Sequence, residues 1–213
     1  MIRHHLSDAL LTGYSAGTLP EAFNLLVATH VSMCDECRVR LQAQDAVGGA
    51  LLEDSAVMAM ADGALAATLA RIGDDAPETP APRPASPGIF PAPLQDYVGG
   101  DSDAVAWRSV GGGVRQAILT QAPGSSARLL YIPPGTAVPD HGHHGTELTL
   151  VLQGAFHDET DHFGRGDVEI ADEALEHTPV ADTGSACICL AVTDAPLRFN
   201  GLIPRLLQPF LKI

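Results

Sequence analysis

The stretch GTAVPDHGHHGTELTLVLQG, Gly135 to Gly154, decides how the larger part of this chain folds. It opens after Pro133-Pro134 and closes on a glycine, and its second half, Glu147–Gln153, is a short apolar-rich run of the kind that forms a buried strand. His141 and His143 stand two residues apart, so on an extended segment both imidazoles point to one face, which Glu147 can rejoin. His177, expected on a partner strand, completes a set of three imidazoles and one carboxylate. Such a set suits zinc or a redox metal.

Outward from this stretch, other short apolar runs alternate with Gly, Pro and Asp. Strands are expected at Gln116–Leu119, Ala127–Ile132, Asp167–Ile170 and Cys187–Val192, which makes residues 94–213 an all-β unit, a sandwich or a barrel. Cys187 and Cys189 share one face of their strand. They read as an oxidation-sensitive pair or as small buried hydrophobes, the second favoured because neither has a basic neighbour to lower its pKa. Leu206, Leu207 and Phe210 are expected to close one end. His144, His157 and His162 fit no ligand spacing.

Residues 1–72 read differently. Ser7 can cap a helix carrying Leu10, Leu11 and Tyr14, and Thr18-Leu19-Pro20-Glu21 reads as a capping box that starts a second. On that second helix Phe23, Leu26, Val27 and His30 share a face. A third helix is expected from Cys34 towards Leu52 and a fourth from Ser55 to Ile72. Seven of the chain's 16 prolines then fall between Gly73 and Pro93, which predicts an extended linker with few packing contacts across it.

His30, Cys34 and Cys37 form a second constellation, H-x3-C-x2-C. On a helix the first two would lie one turn apart, and Cys37 follows at the next helical spacing if the helix continues or restarts through the connection. Two thiolates and an imidazole approach a tetrahedral zinc site, with His4 or His5 as the available fourth ligand. A zinc staple matters here, because about 70 residues alone bury a marginal core.

The net charge of −14, from 12 basic and 26 acidic residues, argues against nucleic acid or an anionic membrane as partner. No run of 18 apolar residues occurs and no signal-peptide pattern opens the chain, so a cytoplasmic location is expected. In a reducing compartment Cys34 and Cys37 read as metal ligands or a redox pair rather than a disulfide.

These residues carry a family resemblance. The spacing Gly135-x5-His141-x-His143-x3-Glu147-x6-Gly154 matches the first cupin motif, and Gly166 precedes His177 as in the second, although Asp172, Ala174 and Ala181 replace that motif's proline, glycine and asparagine. A helical H-x3-C-x2-C segment, a proline-rich linker and a cupin together resemble the ChrR-type zinc-binding anti-sigma factors. The resemblance also takes in Gly111-Gly112-Gly113 and Asp158-Glu159-Thr160-Asp161. It implies a four-helix anti-sigma domain at 1–72, a linker at 73–93 and a jelly-roll cupin at 94–213. It further implies a 1:1 inhibitory complex with an extracytoplasmic-function sigma factor, relieved by singlet oxygen sensed through the cupin. On matching positions the zinc ligands are His5, His30, Cys34 and Cys37. The cupin ligands, for zinc or another divalent metal, are His141, His143, Glu147 and His177.

Met58, Met60, Leu65 and Leu69 would by themselves read as core; the resemblance turns them into an interface. Two other functions fit parts of the sequence. One is a metal-dependent cupin dioxygenase with a zinc-binding helical appendage, which the altered second motif argues against. The other is an anti-sigma factor that responds through the thiols Cys34 and Cys37 alone.

Overall fold

The structure, a computed structural model, describes residues 1–74, 88–142, 144–196 and 198–199. Helices come first: α1 (Asp8–Ser15), α2 (Glu21–Met33), α3 (Asp35–Glu53), α4 (Ala64–Asp74) and α5 (Ala92–Val98). The strands follow as β1 (Arg108–Gly111), β2 (Val114–Ala122), β3 (Ser125–Ile132), β4 (His141–Gly142), β5 (Glu147–Gln153) and β6 (Ala155–His157). After them come β7 (His162–Gly164), β8 (Val168–Ala171), β9 (Glu176–His177), β10 (Val180–Ala181), β11 (Cys187–Thr193) and β12 (Arg198–Phe199). No helix among the described residues is long and apolar enough to cross a membrane.

Local chemistry sets the helix ends. Ser7 Oγ accepts from the Leu10 amide at 3.3 Å and starts α1. The expected capping box of α2 does not form: Pro20 occupies the cap, and the Thr18 hydroxyl donates back to the Gly13 carbonyl at 3.2 Å. His30, Cys34 and Cys37 span the junction of α2 and α3. Cys34 is extended (φ −115°, ψ 108°) between α2 and α3, and its sulfur caps α3 by accepting from the Cys37 amide. The fourth helix begins at Ala64 rather than near Ser55, just after Gly63 at φ 78°, a conformation that favours glycine.

The long strands form one antiparallel sheet in the order β1-β2-β3-β11-β5-β8, flanked by two three-stranded sheets, β10-β6-β7 and β12-β4-β9. Among the described residues these do not close into one hydrogen-bonded barrel. The all-β expectation for 94–213 holds from β1 onward, while α5 occupies its first residues. Leu206, Leu207 and Phe210 lie outside the described residues.

β11 explains why this sheet reads as unbroken apolar runs. Ile188, Leu190 and Val192 belong to one buried cluster, which contains Phe23, Leu26 and Val27 of α2. Cys187 and Cys189 alternate with them and belong to a second cluster, with Phe156 and Phe163. Helices cover one face and the smaller sheets the other, so both faces of β11 are apolar, while on β3 and β5 the second face also carries the buried polar side chains Arg128 and Glu147. The helices therefore do not stand apart from the sheet. α2 packs on β3 and β11, and the Tyr97 hydroxyl of α5 donates to Glu21 of α2 at 2.6 Å. The expectation of few contacts across the proline-rich segment fails for this reason: at roughly 1.5–3 kcal/mol per large buried side chain, Phe23, Leu26 and Val27 join the two parts by several kcal/mol.

Candidate metal centres

The helical cluster draws on four places in the chain. His30 sits in the last turn of α2, Cys34 in the bend, Cys37 in the first turn of α3, and His5 on the segment before α1. One ligand atom from each of the four lies within 4.8 Å of the others. His5 Nδ1 stands 3.3 Å from Cys34 Sγ and 3.7 Å from Cys37 Sγ, while His5 Nε2 meets Glu36 Oε2 at 3.3 Å. Glu36 thereby turns the ring so that Nδ1 faces the thiols, as carboxylates do behind histidine ligands. His4, the other candidate, points away towards Asp161 and Asp167.

His30 is fully buried, and neither ring nitrogen has a hydrogen-bond partner of good geometry. Burial holds its pKa down at about 4, against a weaker opposing pull from the Gly166 backbone, so the imidazole is neutral with a lone pair available. Burial likewise pushes the Cys37 thiol up to about 11, and the neighbouring Cys34 adds to this. A metal bound here must displace thiol protons, so its affinity falls as pH is lowered. A buried, unpartnered imidazole among two thiols and a second oriented imidazole is a set that could hold a metal ion.

The second cluster lies where the small sheets meet the large one. β4 and β9 place His141 directly opposite His177, with their Nε2 atoms 3.3 Å apart. Glu147, at the start of β5, brings Oε2 to 3.8 Å from His141 Nε2. His143, the remaining expected ligand, lies outside the described residues. His141 Nδ1 stands 2.9 Å from the Pro139 carbonyl, and His177 Nδ1 stands 2.8 Å from Asp158 Oδ2 and 3.0 Å from Glu169 Oε1. With both Nδ1 atoms facing oxygen acceptors, the two Nε2 atoms converge on the same point.

Burial alone would lower the His177 pKa; its bonds to Glu169 and Asp158 outweigh this and lift it to about 9. Burial raises the Glu169 carboxyl. At Asp158 burial acts in the same direction, but hydrogen bonds with Glu169, Thr160 and His177 hold the carboxyl well below the usual range. Asp158, Glu169 and His177 are also close enough to gather an ion. Their mutual hydrogen bonds already account for that proximity.

A largely apolar cavity of about 350 Å³ opens over His141, Glu147, His177 and Glu169, walled by Leu130, Ile132, Val138 and Phe156. Buried Arg128 also lines it, within electrostatic reach of Glu147. Cys187 and Cys189 are buried with sulfurs 3.3 Å apart, and Cys187 together with burial raises the Cys189 thiol well above its usual range. His144 is exposed, while His157 and His162 both pair with Asp182.

Glu36, Asp158 and Glu169 orient the histidines, yet spacing alone does not single them out. Glu36 lies between the two cysteines, Asp158 in an acidic loop and Glu169 within an expected strand. Only the fold turns these three carboxylates towards the rings of His5 and His177.

A β unit with a histidine-carboxylate centre, bound to helices that carry a thiol-imidazole cluster, defines a two-centre protein of the cupin class. Residues 95–196 match the ChrR cupin-like domain. The chain is 62% identical over 212 residues to the anti-sigma-E factor ChrR of Cereibacter sphaeroides, covering 100% of this chain and 99% of that protein. It also superposes on the crystal structure of Rhodobacter sphaeroides SigE in complex with the anti-sigma ChrR, with a TM-score of 0.81 and 61% identity over 91% of this chain and 100% of that one. The chain belongs to the ChrR family of anti-sigma factors. These are regulators and not enzymes, which sets aside the dioxygenase reading.

Proposed function

We propose that the chain sequesters an extracytoplasmic-function sigma factor in a 1:1 complex in the cytoplasm and releases it under oxidative stress, singlet oxygen in particular. The helices α1–α4 act as the four-helix anti-sigma unit, assigned to residues 1–72. Residues 73–93 serve as the connection and 94–213 as a jelly-roll cupin that senses the signal. The observation that carries sequestration is uncovered apolar surface. Leu51, Leu52, Met58, Leu65, Leu69 and Ile72 are between 58% and 86% exposed. Leu65, Leu69 and Ile72 recur at helical spacing on one face of α4, and exposed apolar faces of this kind mark partner surfaces. The complex of the 61% identical relative with SigE supports a partner of that kind.

Exchanging Leu65 and Leu69 for glutamate is expected to weaken sigma binding by about 100-fold or more, the effect of removing interface residues worth ~2 kcal/mol each. Thermal stability should barely move, because both side chains are already exposed. Isothermal titration with the sigma factor and a melting curve test this together. Unchanged affinity would remove α4 from the interface.

We assign zinc to His5, His30, Cys34 and Cys37, whose two nitrogens and two sulfurs are the donor set of closed structural sites. We assign zinc or another divalent metal to His141, His143, Glu147 and His177. The carboxylates behind His177 Nδ1 support ligation through Nε2. If the cupin centre is the sensor, Glu147→Ala should leave inhibition intact and blunt release of the sigma factor. A signal shifts the complex only through a free-energy difference between its bound and free states. Reporter transcription under singlet oxygen measures this. A full response from a Glu147→Ala protein shown to lack the second metal takes that centre out of the mechanism.

A further inference from the structure

The two ligand clusters are joined through one hydrogen-bonded turn, Asp158–Asp161. Asp158 Oδ1 accepts from the Thr160 amide (2.8 Å), the Thr160 hydroxyl (2.6 Å) and the Asp161 amide (3.1 Å). Its other oxygen meets His177 Nδ1 at 2.8 Å. At the far end of the turn, Asp161 Oδ2 meets His4 Nε2 at 3.1 Å. His4 adjoins His5, the residue whose ring packs on both thiols of the helical cluster.

The segment carrying His4 and His5 is itself strapped to the β unit. The Arg3 and His4 amides donate to Asp167 Oδ1 at 2.6 and 2.9 Å, and the Val168 amide donates to the His4 carbonyl at 3.2 Å. The His4 ring lies 4.5 Å from that of Phe163. Gly166 admits the strap: a Cβ there would stand 2.5 Å from Ile2 Cδ1. Asp167 is 3% exposed, so this clamp is built into the interior.

We propose that Asp161 and Asp167 are positioning residues for His5, and that the Asp158–Asp161 turn transmits changes at the cupin centre to the helical cluster. The proposal rests on the reading that the helical cluster is the zinc centre that holds the sigma-binding helices together. Any displacement of the His177 ring alters its bond to Asp158, and Asp158 organises the same turn that holds His4. The coupling is reciprocal by linkage, so a change at the helical cluster alters the cupin centre's affinity by the same factor.

The test is the rate at which N-ethylmaleimide alkylates Cys34 and Cys37 in the full chain, resolved by peptide mass spectrometry, with zinc content measured alongside. Asp161→Ala should raise the rate about five-fold, the equivalent of one hydrogen bond of ~1 kcal/mol. His4→Phe, which keeps an aromatic ring against Phe163 and loses the bond to Asp161, should do the same. His177→Ala should accelerate alkylation in the otherwise native chain and add nothing once residue 161 is alanine. Asp158→Asn serves as the second perturbation should His177→Ala fail to fold, with the same non-additivity expected. Native rates in both Asp161→Ala and His4→Phe overturn the positioning role. No effect of the cupin-side substitution, or full additivity with Asp161→Ala, overturns the transmission. A native chain without helical zinc refutes the zinc reading instead, since alkylation reports the packing of His5 on the thiols with or without metal.

Discussion

Replacing Cys34 and Cys37 together by serine is expected to remove one zinc per chain and abolish sigma-factor binding in the same protein. Both thiols are buried at the junction of α2 and α3, and the sulfur of Cys34 also caps α3. Structural zinc contributes about 10–16 kcal/mol of apparent binding energy, all of it available to folding. Serine is a poor zinc ligand, and in the double variant His30 keeps a fully buried imidazole with no metal to satisfy it. The junction should open and the exposed apolar faces of α3 and α4, the proposed partner surface, lose their frame. Metal analysis and co-purification with the sigma factor read the two effects in one preparation. Full zinc stoichiometry in a serine double variant that has lost only the helical cysteines would sink the ligand assignment.

A fragment ending near Asp75 should still bind zinc and the sigma factor, but with its fold made conditional on the metal. His5, His30, Cys34 and Cys37 and the exposed faces of α3 and α4 all lie before that point. What the fragment loses is the sheet over Phe23, Leu26 and Val27, at roughly 1.5–3 kcal/mol for each side chain. Zinc can offset a loss of that size; without it, 75 residues have too little core. A strong chelator should therefore unfold the fragment completely by circular dichroism while the β unit of the full chain keeps its structure. Failure of the zinc-loaded fragment to bind a sigma factor that the full chain binds would place part of the inhibitory surface on the cupin.

The sequence marked His30, Cys34 and Cys37, with His4 or His5, as one set and His141, His143, Glu147 and His177 as another, because ligand chemistry restricts residue type and spacing so tightly. It marked the strands at 127–132, 147–153 and 187–192 equally well, since each is a short run dominated by apolar residues. The same uniformity hid what covered them: an apolar run does not say whether a helix or a second sheet lies on it. Prolines suggested a free linker, because local propensity describes the chain between two parts and not the surfaces those parts present to each other.

Local chemistry along the chain thus determined the ligand types, the glycine-bounded strands, the change from helix to sheet and the membership of the ChrR family. Tertiary structure decided which partners met. It brought His5 rather than His4 to the thiols, put Glu36 behind the His5 ring and Asp158 and Glu169 behind the His177 ring, packed α2 on the sheet and left Leu65 and Leu69 uncovered. These outcomes depend on groups far apart in sequence, as Asp167 and His4 are, and on which apolar face finds a partner surface first. Spacing constrains neighbours along the chain, whereas burial and hydrogen-bond satisfaction are properties of the whole packed molecule.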